Sequence, residues 1–172
     1  ALSAGEDGLW SLDPSSGWIR RHDPETFAAV EKHPVPGGGA QGLLRDGGDL
    51  WVADRASSSI YRYAVSEDIR VVSKALIRSG GRVGGLARAG DHLWLADADS
   101  RTIRRWRIAG FSEDGAAALG GLLPPGGELV GLALEGGWVW VMTDSPPTLH
   151  RISASRLRFR RRGLQSFFAF PY

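Results

Sequence analysis

Short apolar runs recur along this chain, each followed by a polar loop and then by a second run that carries an arginine. The clearest copy is Asp49-Leu50-Trp51-Val52-Ala53-Asp54, with Ile60 and Arg62 behind it. The same order appears around Trp10 (then Asp13, Ile19, Arg21), Trp94 (then Asp97, Ile103, Arg105) and Trp140 (then Thr143, Leu149, Arg151). A leucine precedes each tryptophan at one fixed distance: Leu2, Leu43, Leu86 and Leu132. In the Trp51 run Leu50 and Val52 point one way, Trp51 and Ala53 the other, because side chains alternate along a strand. A run apolar on both alternations predicts a strand covered on both faces.

Around each such strand the chain reads as further short strands separated by turns. In the best copy Asp46-Gly47-Gly48-Asp49 is a turn sequence. Ile60 to Val65, rich in aromatic and β-branched residues, is a third strand, and Arg70 to Ile77 an outer one. In the first unit the outer strand is expected from Phe27 to Val35. In the third, Ala116 to Leu119 is a weak strand, open to irregular structure. In the fourth the outer strand is expected over Arg156 to Arg162. The tryptophans are 41, 43 and 46 residues apart, a period that marks a blade-type repeat. One four-stranded unit covers neither of its faces alone, so the units must stack. The fold predicted is all-β, a β-propeller of four-stranded antiparallel blades with four units. These run over about 1–41, 42–84, 85–130 and 131–155 plus the outer strand, and a basic, then aromatic, segment follows at 156–172.

The pattern Leu-Trp-Val-Ala-Asp, then a short polar loop, then Ile-x-Arg, resembles the NHL, YVTN and lyase-type propeller repeats over residues 2 to 155, with a WD40-like architecture. That resemblance implies that the first strand of each unit lines a central channel. It also implies that the loops after the second and fourth strands share one face, commonly the binding face. Such propellers include protein-binding scaffolds, sensors, lactonases and lyases, and they usually close with more than four blades. The metal-dependent lactonases among them use asparagine around a divalent ion, and this chain has no asparagine.

Composition changes the picture in two places. Glycine is frequent, 24 of 172 residues, which suits many tight turns between strands. The net charge of +2 is uneven: five of the 21 basic residues (Arg156, Arg158, Arg160, Arg161 and Arg162) lie together, leaving 16 against 19 acidic residues elsewhere. An acidic partner or anionic surface would therefore be met by that segment, with Phe167, Phe168, Phe170 and Tyr172 as anchors. Specific nucleic-acid binding is not expected, because no known module for it is present. There is no cysteine, so neither disulfides nor thiol chemistry. No apolar run approaches the ~20 residues of a membrane-spanning helix. An exported or periplasmic location is expected.

Candidate chemistry is sparse. Asp13, Asp54 and Asp97 hold one repeat position and read as loop caps, with a cation-binding ring as the alternative. Arg21, Arg62, Arg105 and Arg151 read as structural partners, either of those aspartates or of carbonyls between blades. The histidines His22, His33, His92 and His150 show no metal-ligand spacing. The glycine-rich stretch Gly37 to Gly42 reads as a turn between units more readily than as an anion nest. No catalytic residue, metal or cofactor is assigned. The function expected is a binding or scaffold module for protein, with a propeller hydrolase or lyase as the alternative. Four units also predict that the ring is completed by other polypeptide, most simply a second copy, with the segment from Arg156 to Tyr172 near that junction.

Overall fold

The computed structural model describes residues 1–35, 38–65, 69–76 and 82–161, with only the backbone of residues 75 and 76. It is all-β apart from one short turn of 3-10 helix at Ala154–Arg156. Four antiparallel sheets follow one another in chain order, the blades of a β-propeller. Blade 1 holds β1 (Leu2–Gly5), β2 (Gly8–Asp13), β3 (Trp18–His22) and β4 (Ala29–Pro34). Blade 2 holds β5 (Ala40–Asp46), β6 (Asp49–Asp54), β7 (Ser59–Ala64) and β8 (Arg70–Leu76). Blade 3 holds β9 (Val83–Ala89), β10 (His92–Asp97), β11 (Thr102–Arg107) and β12 (Ser112–Ala118). Blade 4 holds β13 (Leu129–Glu135), β14 (Trp138–Thr143) and β15 (Thr148–Ser153).

Each tryptophan strand pairs with the strand before and after it in one register. Trp10 faces Arg21, Trp51 faces Arg62, Trp94 faces Arg105 and Trp140 faces Arg151. The alternation divides every blade into two apolar faces. The front of blade 1 (Trp10, Leu12, Ile19) packs on the back of blade 2 (Leu50, Val52, Tyr61, Tyr63). The front of blade 2 (Trp51, Ala53, Ile60) packs on the back of blade 3 (Leu93, Leu95, Trp106). The front of blade 3 (Trp94, Ala96, Ile103) packs on the back of blade 4 (Val139, Val141, Ile152). The core therefore lies in three seams between blades, because a sheet buried on both faces needs a neighbour on each side. At the inner edge the first strands lie side by side, β1 by β5 by β9 by β13. Between blades 3 and 4 they come so close that side chains are excluded: a Cβ on Gly84 would sit 1.9 Å from the Leu129 carbonyl oxygen, and one on Gly85 2.5 Å from the Leu132 nitrogen.

Two outer strands differ from expectation. The alanine-rich stretch of blade 3 is a strand, β12, paired along β11 with a bulge between Arg105 and Trp106. Alanine's weak β preference is overridden by the ladder and by burial of Ala117. Blade 4 has three strands among the described residues, so the strand expected over Arg156 to Arg162 is not its fourth. After the 3-10 turn the chain leaves blade 4 and reaches the outer edge of blade 3. There Arg160 forms an isolated antiparallel bridge with Ala116, its N–H donating to Ala116 O at 2.9 Å and its carbonyl accepting from Ala116 N at 3.1 Å. The cause is burial: Leu157 is buried in the seam between blades 3 and 4, and Phe159 packs against that seam. Phe159 meets the Trp94 ring edge-on at 4.9 Å. An outer strand on blade 4 would leave both in water.

Trp51→Ala is expected to cost roughly 3–5 kcal/mol, as for large aromatic truncations in cores, and Gly84→Ala about 1–3 kcal/mol from overpacking of the inner strands. Denaturant unfolding measures both, and a neutral Gly84→Ala would contradict the close approach of β9 and β13.

Candidate functional site

The loops after β2, β6, β10 and β14 lie at one end of the blades with the connections into β5, β9 and β13. Arg55 N–H donates to Gly39 O at 2.8 Å, Ala98 N–H to Arg82 O at 2.8 Å and Asp144 N–H to Glu128 O at 3.0 Å. The repeated aspartates sit at this end. Asp54 Oδ1 accepts from Ser57 N–H at 2.9 Å and Asp97 Oδ1 from Ser100 N–H at 3.1 Å. Asp13 accepts from Ser15 N–H at 3.0 Å and from the hydroxyls of Ser15 and Ser16, each at 2.6 Å. The Ser15 and Ser16 hydroxyls hold the Asp13 carboxyl well below the usual carboxylate range. Each carboxylate thus closes its own loop, as short acidic side chains do. Among the described residues no group of three or more acidic or histidine side chains is placed to hold a metal.

Three of the four repeat arginines meet carboxylates of their own blade, not the loop aspartates. Arg21 pairs with Glu31, Arg62 with Asp49 at 2.7 Å and Arg105 with Asp114 at 3.0 Å. The register explains this: Arg62 lies opposite Trp51, while Asp54 lies opposite Ser59 at the strand end. The guanidiniums of three of them, Arg62, Arg105 and Arg151, also lie over aromatic rings. Arg62 lies over Trp51 at 5.4 Å, Arg105 over Phe159 at 4.5 Å, and Arg151 over Trp138 at 4.4 Å and Trp140 at 5.7 Å. The loop aspartates instead face arginines the repeat pattern did not single out. Asp97 lies 3.7 Å from Arg104, which is buried against Glu113 at 2.5 Å, and Asp13 lies 3.7 Å from Arg20.

At the loop end a cleft of about 470 Å³ opens between blades 1 and 2, lined by Pro14, Gly38, Gly39, Gln41, Arg55 and Ala56. The described part of the glycine-rich stretch is a packed connection: a Cβ on Gly39 would lie 2.6 Å from Ala56 N, and Gln41 Oε1 accepts from Val83 N–H at 3.2 Å. Gly37 lies outside the described residues. Between blades 3 and 4 this end is tied by Arg82, which bridges Asp99 at 2.9 Å and Glu128 at 2.5 Å.

The four histidines lie apart, each with its own partner. His33 meets Glu31 at 3.4 Å, His150 meets the Thr143 hydroxyl at 3.0 Å, and His92 lies between Asp91 at 2.5 Å and Asp114 at 2.9 Å. His22 has the most chemistry. Its Nδ1 is 3.0 Å from Phe27 O, an acceptor only, so Nδ1 carries the proton and Nε2 accepts from the Ser11 hydroxyl at 2.7 Å. This is a serine–imidazole pair with its tautomer set. The amide that would serve an oxyanion beside such a serine is occupied, however: Leu12 N–H donates to Ala1 O at 2.8 Å.

Of the basic segment, Arg156, Arg158, Arg160 and Arg161 are exposed, with Arg161 3.3 Å from Asp114. They ride on the outer rim beside blade 3, away from the front of blade 4. Arg162, Phe167, Phe168, Phe170 and Tyr172 lie outside the described residues.

The largest departure from repeat symmetry is at the front of blade 4. Leu149 is 62% exposed, whereas Ile19, Ile60 and Ile103 at the same repeat position are each 0% exposed. Met142 is 43% exposed where Leu12, Ala53 and Ala96 are buried, and Trp138 is 40% exposed. Trp140 is half-buried, where Trp10, Trp51 and Trp94 are buried. Alternation along β14 puts Trp140 and Met142 on one face, and Leu149, opposite Met142 in β15, shares it. The stacking order, which only the structure shows, leaves this face without a following blade among the described residues.

No family model matches the chain, and no curated protein matches it in sequence. Solved structures do match in fold. The glutaminyl cyclase of Myxococcus xanthus is 16% identical, with a TM-score of 0.70 over 94% of this chain and 73% of that one. A catalytically inactive virginiamycin B lyase from Staphylococcus aureus, solved with quinupristin, is 17% identical, with a TM-score of 0.65 over 87% of this chain and 50% of that one. The Cps50 (Swd1) β-propeller domain of Myceliophteria thermophila is 13% identical, with a TM-score of 0.59 over 86% of this chain and 50% of that one. The likeness is one of β-propeller fold, and the chain spans half the length of the lyase and Swd1 chains.

Two outcomes are expected. Asp54→Ala costs about 1–3 kcal/mol by denaturant unfolding, because the amide it caps is left unpaired. A fluorophosphonate leaves Ser11 unlabelled at neutral pH; stoichiometric labelling lost in His22→Ala would contradict the structural reading of that pair.

Proposed function

We propose that this chain is a protein-binding module that acts by assembly, offering a finished blade face to a further propeller blade. The observation that supports it most directly is the exposure of Leu149 at a position that is fully buried in every other unit. Scattered apolar residues on a surface need no explanation, but a contiguous apolar sheet face marks an interaction site. Trp138, Trp140, Met142 and Leu149 form such a face, and Arg151 lies over both indoles. Aromatic and arginine side chains of this kind carry much of the energy at interfaces. The partner's matching surface is the back of a blade: leucine, valine and aromatic side chains on a flat sheet, as blades 2, 3 and 4 present to the units before them.

A second reading, an enzyme with its site on the propeller, draws on the Ser11–His22 pair and on the cyclase and lyase named among the similar structures. The occupied Leu12 amide weighs against hydrolytic use of that serine.

The test is a photo-crosslinking residue in place of Leu149, irradiated in the cells that express the chain. A discrete covalent adduct to protein is expected, with its far side mapped to a β-sheet face by mass spectrometry. A crosslinker in place of exposed Arg158 gives no such adduct. Crosslinking of position 149 only to its own chain, or to nothing, would contradict the reading.

A further inference from the structure

The two ends of this arc are complementary in the way its internal faces are. At the front end, blade 4 presents Trp140, Met142, Leu149 and Arg151, at the repeat positions of Trp51, Ala53, Ile60 and Arg62 in blade 2. The stacking geometry is shared: Arg151 lies 5.7 Å from the Trp140 ring and Arg62 5.4 Å from the Trp51 ring. At the other end, the back of blade 1 holds the same repeat positions as the back of blade 3, the surface on which the front of blade 2 packs. Blade 3 sets Arg104 3.7 Å from Asp97 at that seam, and blade 1 sets Arg20 3.7 Å from Asp13 at the same repeat positions. Leu9 stands where Leu93 stands. Ser11 and His22 replace Leu95 and Trp106 and join to each other at 2.7 Å, which satisfies their polar groups without water. Leu2 and Val30, on the same blade, are exposed.

We infer that the partner is a second copy of this chain, joined head to tail, the front of blade 4 in each copy covering the back of blade 1 in the other. This rests on the assembly reading above and adds the identity of the partner and the register of the contact. The four units span half the length of the Swd1 β-propeller domain, and two copies joined in this way bring eight blades together. The assembly has two identical junctions related by a two-fold axis, and closure takes the apolar front of blade 4 out of water in both copies. Each junction repeats the seam between blades 2 and 3, with Leu149 set among Leu9, Ser11 and His22 as Ile60 is set among Leu93, Leu95 and Trp106.

Two measurements test this. Light scattering on the purified chain at micromolar concentration is expected to give twice the 18.5 kDa chain mass. A monomer up to about 100 μM, or a mass that grows without limit as in an open filament, would overturn it. Because the chain has no cysteine, engineered thiols report the register. A mixture of Leu149→Cys and Ser11→Cys chains is expected to give a disulfide-linked dimer under mild oxidation, and neither variant alone does. Linking of Leu149→Cys to itself would mean face-to-face pairing and would overturn the head-to-tail register. An adduct at position 149 to a different protein, with the purified chain monomeric, would overturn the second copy and leave the assembly reading standing.

Discussion

Everything in this fold depends on the seam between one blade's tryptophan face and the next blade's aliphatic back. A single sheet of this composition cannot exist alone in water, since both of its faces are apolar. Three such seams hold the core: Trp10 against Leu50 and Val52, Trp51 against Leu93 and Leu95, Trp94 against Val139 and Val141. Burying one indole with its aliphatic neighbours stabilises by several kcal/mol, and each seam is stabilised by both of the blades that make it. The same dependence makes an uncovered end costly, so the exposure at the front of blade 4 follows from the rule that builds the rest.

The outer rim shows how the seams are finished. Phe111 lies 5.3 Å from the Trp51 ring and Phe159 4.9 Å from the Trp94 ring, each closing the solvent side of a tryptophan. The first comes from a hairpin of the next blade. The second comes from the segment after blade 4, which crosses back to blade 3 to supply it. This accounts for the path of the chain after Ser153 better than any preference of the arginines, which stay in solvent.

Much of this was legible in the sequence. The four tryptophan blocks placed each central strand, and the double apolar alternation of Leu50 to Ala53 required a neighbour on both sides. The loop aspartates were read from their side-chain chemistry, and Asp54 and Asp97 do accept amides of their own loops. What the sequence hid was decided by long-range packing. Ala116 to Ala118 form a strand because β11 offers a ladder, and Leu157 and Phe159 abandon blade 4 because a deeper apolar seam lies beside Trp94. The arginine partners were obscured for a simpler reason: only the register shows that Arg62 stands beside Asp49 and not beside Asp54. The polar character of the blade 1 back face, through Ser11 and His22, carried no pattern that a repeat alignment reveals.

The most direct measurement of the central claim is hydrogen exchange by mass spectrometry on the intact chain across a dilution series. If the end faces are seams completed by another blade, protection in β14 and β15 and in β2 and β3 rises with concentration, while β6 and β10, already covered on both sides, exchange at a constant rate. Exchange in all four regions that does not change with concentration would contradict the account.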